Sequence, residues 1–590
     1  MTACFLQPNP GERLMQTSSK SASTLTPKCV VSIRAGGGSV CRRVRRPLAS
    51  RTMTRTSYFV FLVLAAQIPA SQMLTSSGKN FTVVFPENIA YYHPVDSDNR
   101  IWVTALHNGT DVTLRQPSGM TTSISLNAGK THEFNVNQEL GKLDLPVAPA
   151  SDTFKVFSIS NQTCNVTSDK DIIVQAFSSR RRSVQSALVI AAEKLQQKYF
   201  IPPAPEAAGS VDDGLLVNVT ERGPFRVIVV NPGPETAQVT VEGEGVRGTL
   251  EAEMAAQIWV SNGEQPLFVQ SDKPVAVYFS HPCAAQHNCT CSLLHAMVPP
   301  AQDQTMDFPI PPVLAKQASI LLSDQDSRKT ETDKSVVSSA GTAILYRPDT
   351  GLLLTLIPEE EFASCFVVPF ISGKDNYISI VVDKDHKDGI HIGKEPLADA
   401  DWKEVPGTSY TSTYVTASSP KTVVWHSSFK MAVYFVAAWN GSWFGNPAAA
   451  VGATPDFRGC AVISEEMKVL DAAQRWQNSI GSCKTNGSDL ISLSGAQLHK
   501  QVCRRLQEDH GDVQQVWIGS RRSSYSGDWY WFDYSPFSYA KWGPGEPGGL
   551  DEGQCVAMSV KDNSDCVWKD ENCCKNLRPV CYKEPTILHG

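Results

Sequence analysis

The sequence predicts a multi-domain protein of mostly-β, sandwich-like modules followed by a smaller α+β domain. Three observations carry this expectation. Short alternating apolar runs bounded by Gly, Pro, Asn and Asp recur through residues 73–455, the signature of half-buried strands. Related strand-and-turn segments return roughly a hundred residues apart, a domain-sized period rather than that of a solenoid. After residue 456 the texture changes, and tryptophan, cysteine and Gly/Pro turns crowd together. A chain of 590 residues has room for about four domains at ~150 residues each.

The chain opens with 52 Ser/Arg-rich residues, including Arg42, Arg43, Arg45 and Arg46, read here as an unstructured extension or a gene-model artefact. From Met53 a basic start leads into the apolar run Tyr58 to Ala66 and a small-residue exit near Ala70 and Ser71. Residues 53–71 therefore read as a secretory signal, too short to span a bilayer. A mitochondrial presequence is the alternative, and the later sequence argues against it.

The β region divides by its own punctuation. Expected strands include Ile101–Ala105, Asp111–Leu114, Phe225–Val230, Gln238–Val241 and Tyr377–Val382. Ser168-Asp-Lys-Asp-Ile-Ile-Val174 resembles Ser271-Asp-Lys-Pro-Val-Ala-Val277, and each is followed by an apolar Pro-Pro signal, ending at Pro203 and Pro312. A fainter third echo is Phe429–Tyr434. Proline at a strand edge suits a module boundary, so the expected modules are 73–203, 204–312 and 313–455. The run Gly109-Thr-Asp-Val-Thr-Leu, the Ser-Asp-Lys-Pro-Val-Ala-Val-Tyr strand, the Pro-Pro signals and the stretch from Met431 to Pro447 together resemble the N-terminal region of IgG Fc-binding protein, over residues 78–455. That resemblance implies a secreted mucosal or extracellular protein. Its name implies antibody binding, which no residue here carries over.

Composition narrows the function classes. The net charge of −6 gives no electrostatic footprint for nucleic acid. Of 16 cysteines, eight follow residue 459, a density that reads as a disulfide framework in an oxidising compartment. Glycosylation sequons stand at Asn80, Asn108, Asn161, Asn165, Asn218, Asn288, Asn440 and Asn486. The best apolar stretch past the signal, Met431–Ala453, is broken by Asn440, Asn446 and Pro447, so no membrane span is expected.

Residues 456–584 read as the α+β domain. Met467, Leu470, Ala473 and Trp476 share a helical stripe, predicting a helix over 465–480. Ser494 is a candidate cap for a second helix to Leu506, carrying Leu498 and Val502. Val516-Trp-Ile-Gly519, Trp529-Tyr-Trp531, Lys541-Trp-Gly-Pro-Gly-Glu-Pro547, Trp568-Lys-Asp-Glu-Asn-Cys573 and a final Cys581 follow. This order resembles a C-type lectin domain. The resemblance implies pairing of Cys483 with Cys581 and of Cys555 with Cys573. Cys460, Cys503, Cys566 and Cys574 stay unassigned, since spacing alone does not fix connectivity. It also implies calcium on a long loop, where several oxygen ligands meet the ion and sugar hydroxyls complete the shell. Here the loop tripeptide reads Glu546-Pro547-Gly548 and its partner segment Trp568-Lys569-Asp570, each with one oxygen ligand missing. Glu546, Asp570 and Glu552, one position out of register, are the candidate calcium ligands. Lys569 is the candidate to sit in the cation's place. Glu546, Trp542, Lys569 and Asp570 are the candidate ligand-binding residues, and Trp529 and Tyr530 could stack on a ligand.

Other motifs read as structure. No Gly-x-Ser-x-Gly, His-Glu-x-x-His, Walker or dinucleotide fingerprint occurs, so no enzyme is expected. His281 with Cys283, Cys289 and Cys291 reads as disulfide chemistry rather than a metal cluster, with Cys164 and Cys365 candidates for the remainder. Asp383-Lys-Asp-His-Lys-Asp388 has the wrong spacing for a calcium loop and reads as a solvated hairpin turn. Arg180–Arg182 reads as an exposed loop. The sum is a secreted recognition protein that binds carbohydrate or glycoprotein in mucosal or innate defence, with immunoglobulin or mucin-type proteins among its implied partners. The alternative is an adhesive extracellular protein that binds protein without calcium or sugar.

Overall fold

The computed structural model describes residues 76–88, 97–136, 142–143, 158–180, 183–205, 225–260, 264–286, 290–348, 350–417, 422–439, 441–549, 551–560 and 565–588. The expected extension and signal, the sequons at Asn218, Asn288 and Asn440, Arg181–Arg182 and Cys289 lie outside them. The described chain is mostly β, with a mixed α and β domain over its last part.

The recurring segments have a structural counterpart. In the first strand group, Cys164–Arg180 pairs through its early residues with Gly78–Val83 and Thr110–Arg115. Its later residues pair with Asp98–Ala105 and Ser183–Val189. In the second, Phe268–Gln286 pairs early with Gln196–Phe200 and Ala237–Glu242, and late with Arg226–Val230 and Thr290–Met297. Thus Ser168–Val174 and Ser271–Val277 both sit inside a long strand that serves two sets of partners. The third echo behaves alike, with its long strand cut in two. Thr422–His426 pairs with Cys365–Val368 and Ile390–Ile392, and Met431–Trp439 with Asp375–Asp383 and Ser442–Pro447.

One group was not expected from sequence. Residues 306–355 repeat the pairing without the hairpin between the first two central strands. Val336–Ser339 pairs with Met306–Pro309, and Thr342–Arg347 with Ser319–Ser323 and Leu352–Thr355. The break falls at Gly341, where a Cβ would stand 2.0 Å from the Ser323 carbonyl oxygen and 2.8 Å from Phe200; only glycine permits that approach. Residues 313–455 therefore hold strands of two groups. The Pro-Pro signals lie just beyond the opening strands of the second and third groups, Gln196–Phe200 and Met306–Pro309. Those strands pair forward, so residues 203 and 312 fall within groups rather than between them.

The last strands of the four groups, Ser183–Val189, Thr290–Met297, Leu352–Thr355 and Ser442–Pro447, meet at a common centre. Leu293 N donates to Ser183 Oγ at 2.7 Å, and Gln185 Nε2 to the His295 carbonyl at 2.9 Å. Thr355 Oγ1 donates to the Met297 carbonyl at 3.3 Å. Trp443 N donates to the Thr350 carbonyl at 2.8 Å, and Ile357 N to the Tyr434 hydroxyl at 3.0 Å. Ser186 Oγ closes the circuit by donating to Asn446 Oδ1 at 2.6 Å. Apolar packing follows the same path: Phe177 of the first group meets Phe444 of the last, ring centroids 6.3 Å apart.

The C-terminal domain is fastened to this ring. Cys460 is bonded to Cys365 of the last group, and both lie in a small core with Leu106, Ile173, Trp425 and Leu588. Cys460–Ile463 pairs with Thr586–Leu588 at the chain end. The helix expected over 465–480 is a correction. Glu466–Val469 is a strand paired with Arg578–Lys583, and the helix is Trp476–Thr485. A buried network explains the choice. Arg458 donates to Asp456, Glu465 and Tyr582 at 2.7–2.9 Å, and Arg505 and Gln501 donate to Glu465 Oε1. Burial works against the Arg458 cation, but Asp456 and Tyr582 outweigh it and hold its pKa above the ordinary value. The helical stripe is real, but the pairing and the network outweigh a local periodicity. The second helix is Ala496–His510, and its cap position is Gly495, not Ser494, with no side-chain cap bond.

Asp383–Asp388 is a second correction. Asp383 Oδ1 accepts from Asp385 N at 3.0 Å and caps a 3-10 turn, Lys384–Gly389. This turn links strands of two different sheets, so it is not a hairpin. At Arg180, Nη1 donates to the Asn88 carbonyl at 2.8 Å.

Asn446→Ala should test the closure. It strips the partner of Ser186 at a buried position and costs about 1–3 kcal/mol for the orphaned group. The expected result is a thermal midpoint several degrees lower, while Ser186→Ala has a smaller effect. An unchanged midpoint in Asn446→Ala would mean that the ring closes without this contact.

Candidate functional site

The site is built on four strands and a loop that returns over them. Gln515–Arg522 pairs with Trp529–Trp531 and with Cys555–Ser559, and Cys555–Ser559 pairs with Trp568–Glu571. Their inner faces are apolar: Val516, Ile518, Trp531, Val556, Met558 and Trp568 are buried in one core with Leu498, Val502 and Leu506 of the second helix. Alternation along Trp568–Glu571 buries Trp568 and leaves Lys569 exposed and Asp570 half-buried. The loop from Trp542 to Gly553 returns over this edge. Gly543 N donates to the Trp568 carbonyl at 2.9 Å, and a bridge joins Trp542 to Trp568.

Two expected site residues come together. Gly548 N donates to Asp570 Oδ1 at 3.0 Å, and Asp570 N lies 3.4 Å from Glu546 Oε2. The Glu546–Pro547 peptide is cis. Partial burial and the facing Asp570 carboxyl push Glu546 up to about 6, and Lys569 only partly offsets this. Asp570 Oδ2 is buried, and its carboxyl faces that of Glu546. A carboxyl pair of this kind holds a shared proton until the pH exceeds the raised value.

Glu552 supplies what the tripeptide lacks in volume. An ideal Cβ on Gly548 would fall 1.8 Å from Glu552 Oε2. The Glu552 carboxylate thus occupies the space that a side chain at 548 would fill. Lys569 is exposed and makes no ion pair among the described residues. Calcium takes six to eight oxygen ligands. Here Gly548 offers only its backbone, and position 569 carries a lysine where an oxygen ligand is expected. Among the described residues no three His, Cys, Asp or Glu stand close enough to hold a metal ion. The donor set does not make a calcium cage.

Aromatic side chains flank the pair. Trp529 and Trp542, both half-buried, lie 4.9 Å apart at 54°, and Trp542 meets Trp568 edge-on at 5.9 Å. The Arg522 guanidinium sits 5.6 Å over Trp529 and reaches the Gly549 carbonyl at 3.4 Å, tying the indoles to the loop. Tyr530 is also half-buried. Sequence reasoning missed three exposed aromatics in the same domain: Tyr525 (100%), Tyr534 (91%) and Phe532 (40%). Nothing in alternation separates such residues from core tryptophans. It also missed His499, buried between Trp568 and Tyr539 and bonded to the Tyr539 hydroxyl at 2.9 Å and the Cys566 carbonyl at 3.0 Å.

The structure joins Cys483 to Cys581, Cys555 to Cys573 and Cys503 to Cys566. Among the described residues Cys164 is a buried free thiol, pushed up to about 12 by burial, and Cys574 an exposed one. His281 is buried and lowered to about 3 by that burial. Asn80, Asn108, Asn161 and Asn486 are exposed, and Asn165 is half-buried, its Oδ1 accepting from Thr82.

The Lectin C-type domain family model matches residues 472–583. Human C-type lectin domain family 17, member A is 26% identical over 113 residues, which are 19% of this chain and 28% of the relative. Human C-type mannose receptor 2 is 30% identical over 111 residues, 19% of this chain and 7% of the relative. The chain thus spans a minor part of either relative. The solved structure of human lithostathine, 25% identical with a TM-score of 0.20, covers 20% of this chain and 92% of its own. With its helices, strand order and disulfides, the segment from 472 to 583 is a C-type lectin domain.

Proposed function

We propose that this protein is a secreted recognition protein whose lectin domain engages carbohydrate or glycoprotein through the Glu546–Asp570 pair, with Trp542 and Trp529 as the apolar wall. What supports this is the meeting of the Glu546 and Asp570 carboxyls at the loop, beside the half-buried indoles of Trp529 and Trp542. Carboxyl oxygens accept, and polyols offer paired hydroxyl donors on one edge and an apolar C–H face on the other. Glu552 completes the acceptor rim, and Lys569 offers an exposed donor. In this reading the carboxylates hydrogen-bond the sugar directly and calcium is not required. Disulfides throughout the domain and the leader-like segment 53–71 support an extracellular setting. The exposed sequons fit glycosylation there, and mucin-type or immunoglobulin partners fit the resemblance of residues 78–455. No catalytic role is proposed.

A second reading rests on Tyr525, Tyr534 and Phe532. Exposed aromatics of this kind are enriched where proteins meet proteins, so an adhesive contact with a protein partner is the alternative.

A glycan array probed with the secreted chain separates the two. The proposal expects signal that survives a chelator, falls about tenfold or more in Asp570→Asn, and falls in Trp542→Ala. Signal abolished by chelation contradicts direct recognition. A blank array, with capture of a protein partner lost in a Tyr525→Ser and Tyr534→Ser variant, favours adhesion.

The carboxyl pair has its own pH signature. A carboxyl raised above its unfolded value favours the folded state while protonated, and that contribution fades as pH rises through about 6. Carboxyl-carbon NMR should show Glu546 titrating near that value, and Asp570→Asn should lower it toward the ordinary carboxylate range. A midpoint already at the ordinary value in the unaltered chain would show that the two groups do not face each other.

A further inference from the structure

Two of the sequons meet on one face of the first strand group. Asn80-Phe-Thr82 and Asn165-Val-Thr167 lie on paired strands, with Asn80 opposite Thr167 and Thr82 opposite Asn165. Thr113 and Arg115 continue the two rows on the next strand, opposite Thr167 and Asn165. Residues directly opposite each other share a face of the sheet, so hydroxyls, amides and a guanidinium are presented together. This face is one side of a groove of about 570 Å³, a size that small ligands occupy. The second group supplies the other side with Pro232, Pro234 and Pro274. Glu253 joins the sides at one end: its carboxylate pairs with Arg115, and its carbonyl accepts from Thr163 Oγ1 at 2.7 Å.

The two acceptor asparagines stand differently. Asn80 is exposed on the edge strand, whereas Asn165 is half-buried between Thr82 and Arg115. Thr82 Oγ1 donates to Asn165 Oδ1 at 2.8 Å, which fixes the direction of the amide. Asn165 Nδ2, the atom that carries the sugar in an N-linked glycan, makes no hydrogen bond among the described residues and is not a buried atom. The two sides of the groove suit N-acetylglucosamine, the first sugar of such a glycan. Its ring C–H face and acetyl methyl are apolar, and its hydroxyls and amide donate and accept. Proline rings offer apolar surface with no backbone donor, while Thr113, Thr167 and Arg115 offer polar partners.

We propose that this groove is the seat of the chain's own N-linked glycan, with the first N-acetylglucosamine on Asn165 lying between the first two strand groups. The sugar joins the chain before these strands close, and it then fills the gap between the groups. This inference rests on the secretory setting proposed above.

The test maps glycopeptides of the secreted full chain before and after the native protein meets a peptide-N-glycosidase. Asn165 should carry a glycan. Its release should be severalfold slower than release from the exposed Asn108 and Asn486, and the difference should vanish after denaturation. Pro232→Ala combined with Pro274→Ala thins the apolar side and should speed release at Asn165 severalfold, with Asn108 unchanged. Should that double variant fail to be secreted, Pro234→Ala decides by the same measure. A bare Asn165 in a chain that carries sugar at Asn108 or Asn486 overturns the inference and leaves the secretory reading standing. A chain bare at every sequon overturns both. Release at Asn165 as fast as at Asn108, or at an unaltered rate in the proline variant, also overturns the assigned seat.

Discussion

The hydrogen bond from Ser186 to Asn446 spans 260 residues of sequence, and it joins the first strand group to the last. A chain of β groups that pack only on their neighbours is open at both ends, and each end needs a covering of its own. Here the last strand of every group turns toward one centre, so the fourth group covers the first. Closure makes the cost of ordering so long a chain cooperative, because each group stands between two others. It also explains why buried polar side chains gather at the hub. Apolar strands alone would pack there in several registers, whereas Ser183, Ser186, Gln185 and Asn446 each bond across a group boundary and fix one.

The same closure gives the lectin domain its footing. Cys460 leaves the ring through a bond to Cys365, and the chain end returns to pair with the same segment. Both ends of the domain are held, one covalently and one by a strand. Arg458, Asp456, Glu465 and Tyr582 then lock its base with charge-assisted bonds out of water. The loop that carries Glu546 therefore projects from a fixed support. Its carboxyl pair and indoles are preset rather than gathered by a ligand, which lowers the entropy lost on binding.

Much of this was legible in the residues. Strands such as Ile101–Ala105 and Tyr377–Val382 announce themselves as short apolar-rich runs, the second buried on both faces from Ile378 to Val382. The Ser-Asp-Lys echoes mark the long strand of the first two groups. The short third group leaves no such echo, since it lacks a hairpin and its long strand breaks at Gly341. The helix read over 465–480 fails for a physical reason: spacing at Met467, Leu470, Ala473 and Trp476 reports which side chains could share a helical face, not whether a strand partner is waiting. Arg578–Lys583 lies more than a hundred residues away, beyond any local pattern. At the site, Glu546 and Asp570 were visible as residue types, but the position of Glu552 was not. The missing side chain at Gly548 is what makes room for the Glu552 carboxylate beside the tripeptide.

The direct test of the account is disulfide mapping of the secreted chain by mass spectrometry without reduction. It predicts cross-linked peptides joining Cys365 to Cys460, Cys483 to Cys581, Cys503 to Cys566 and Cys555 to Cys573, with Cys574 open to alkylation. Cys365 and Cys460 recovered as thiols, or bonded to other partners, would contradict a lectin domain fastened to a closed ring.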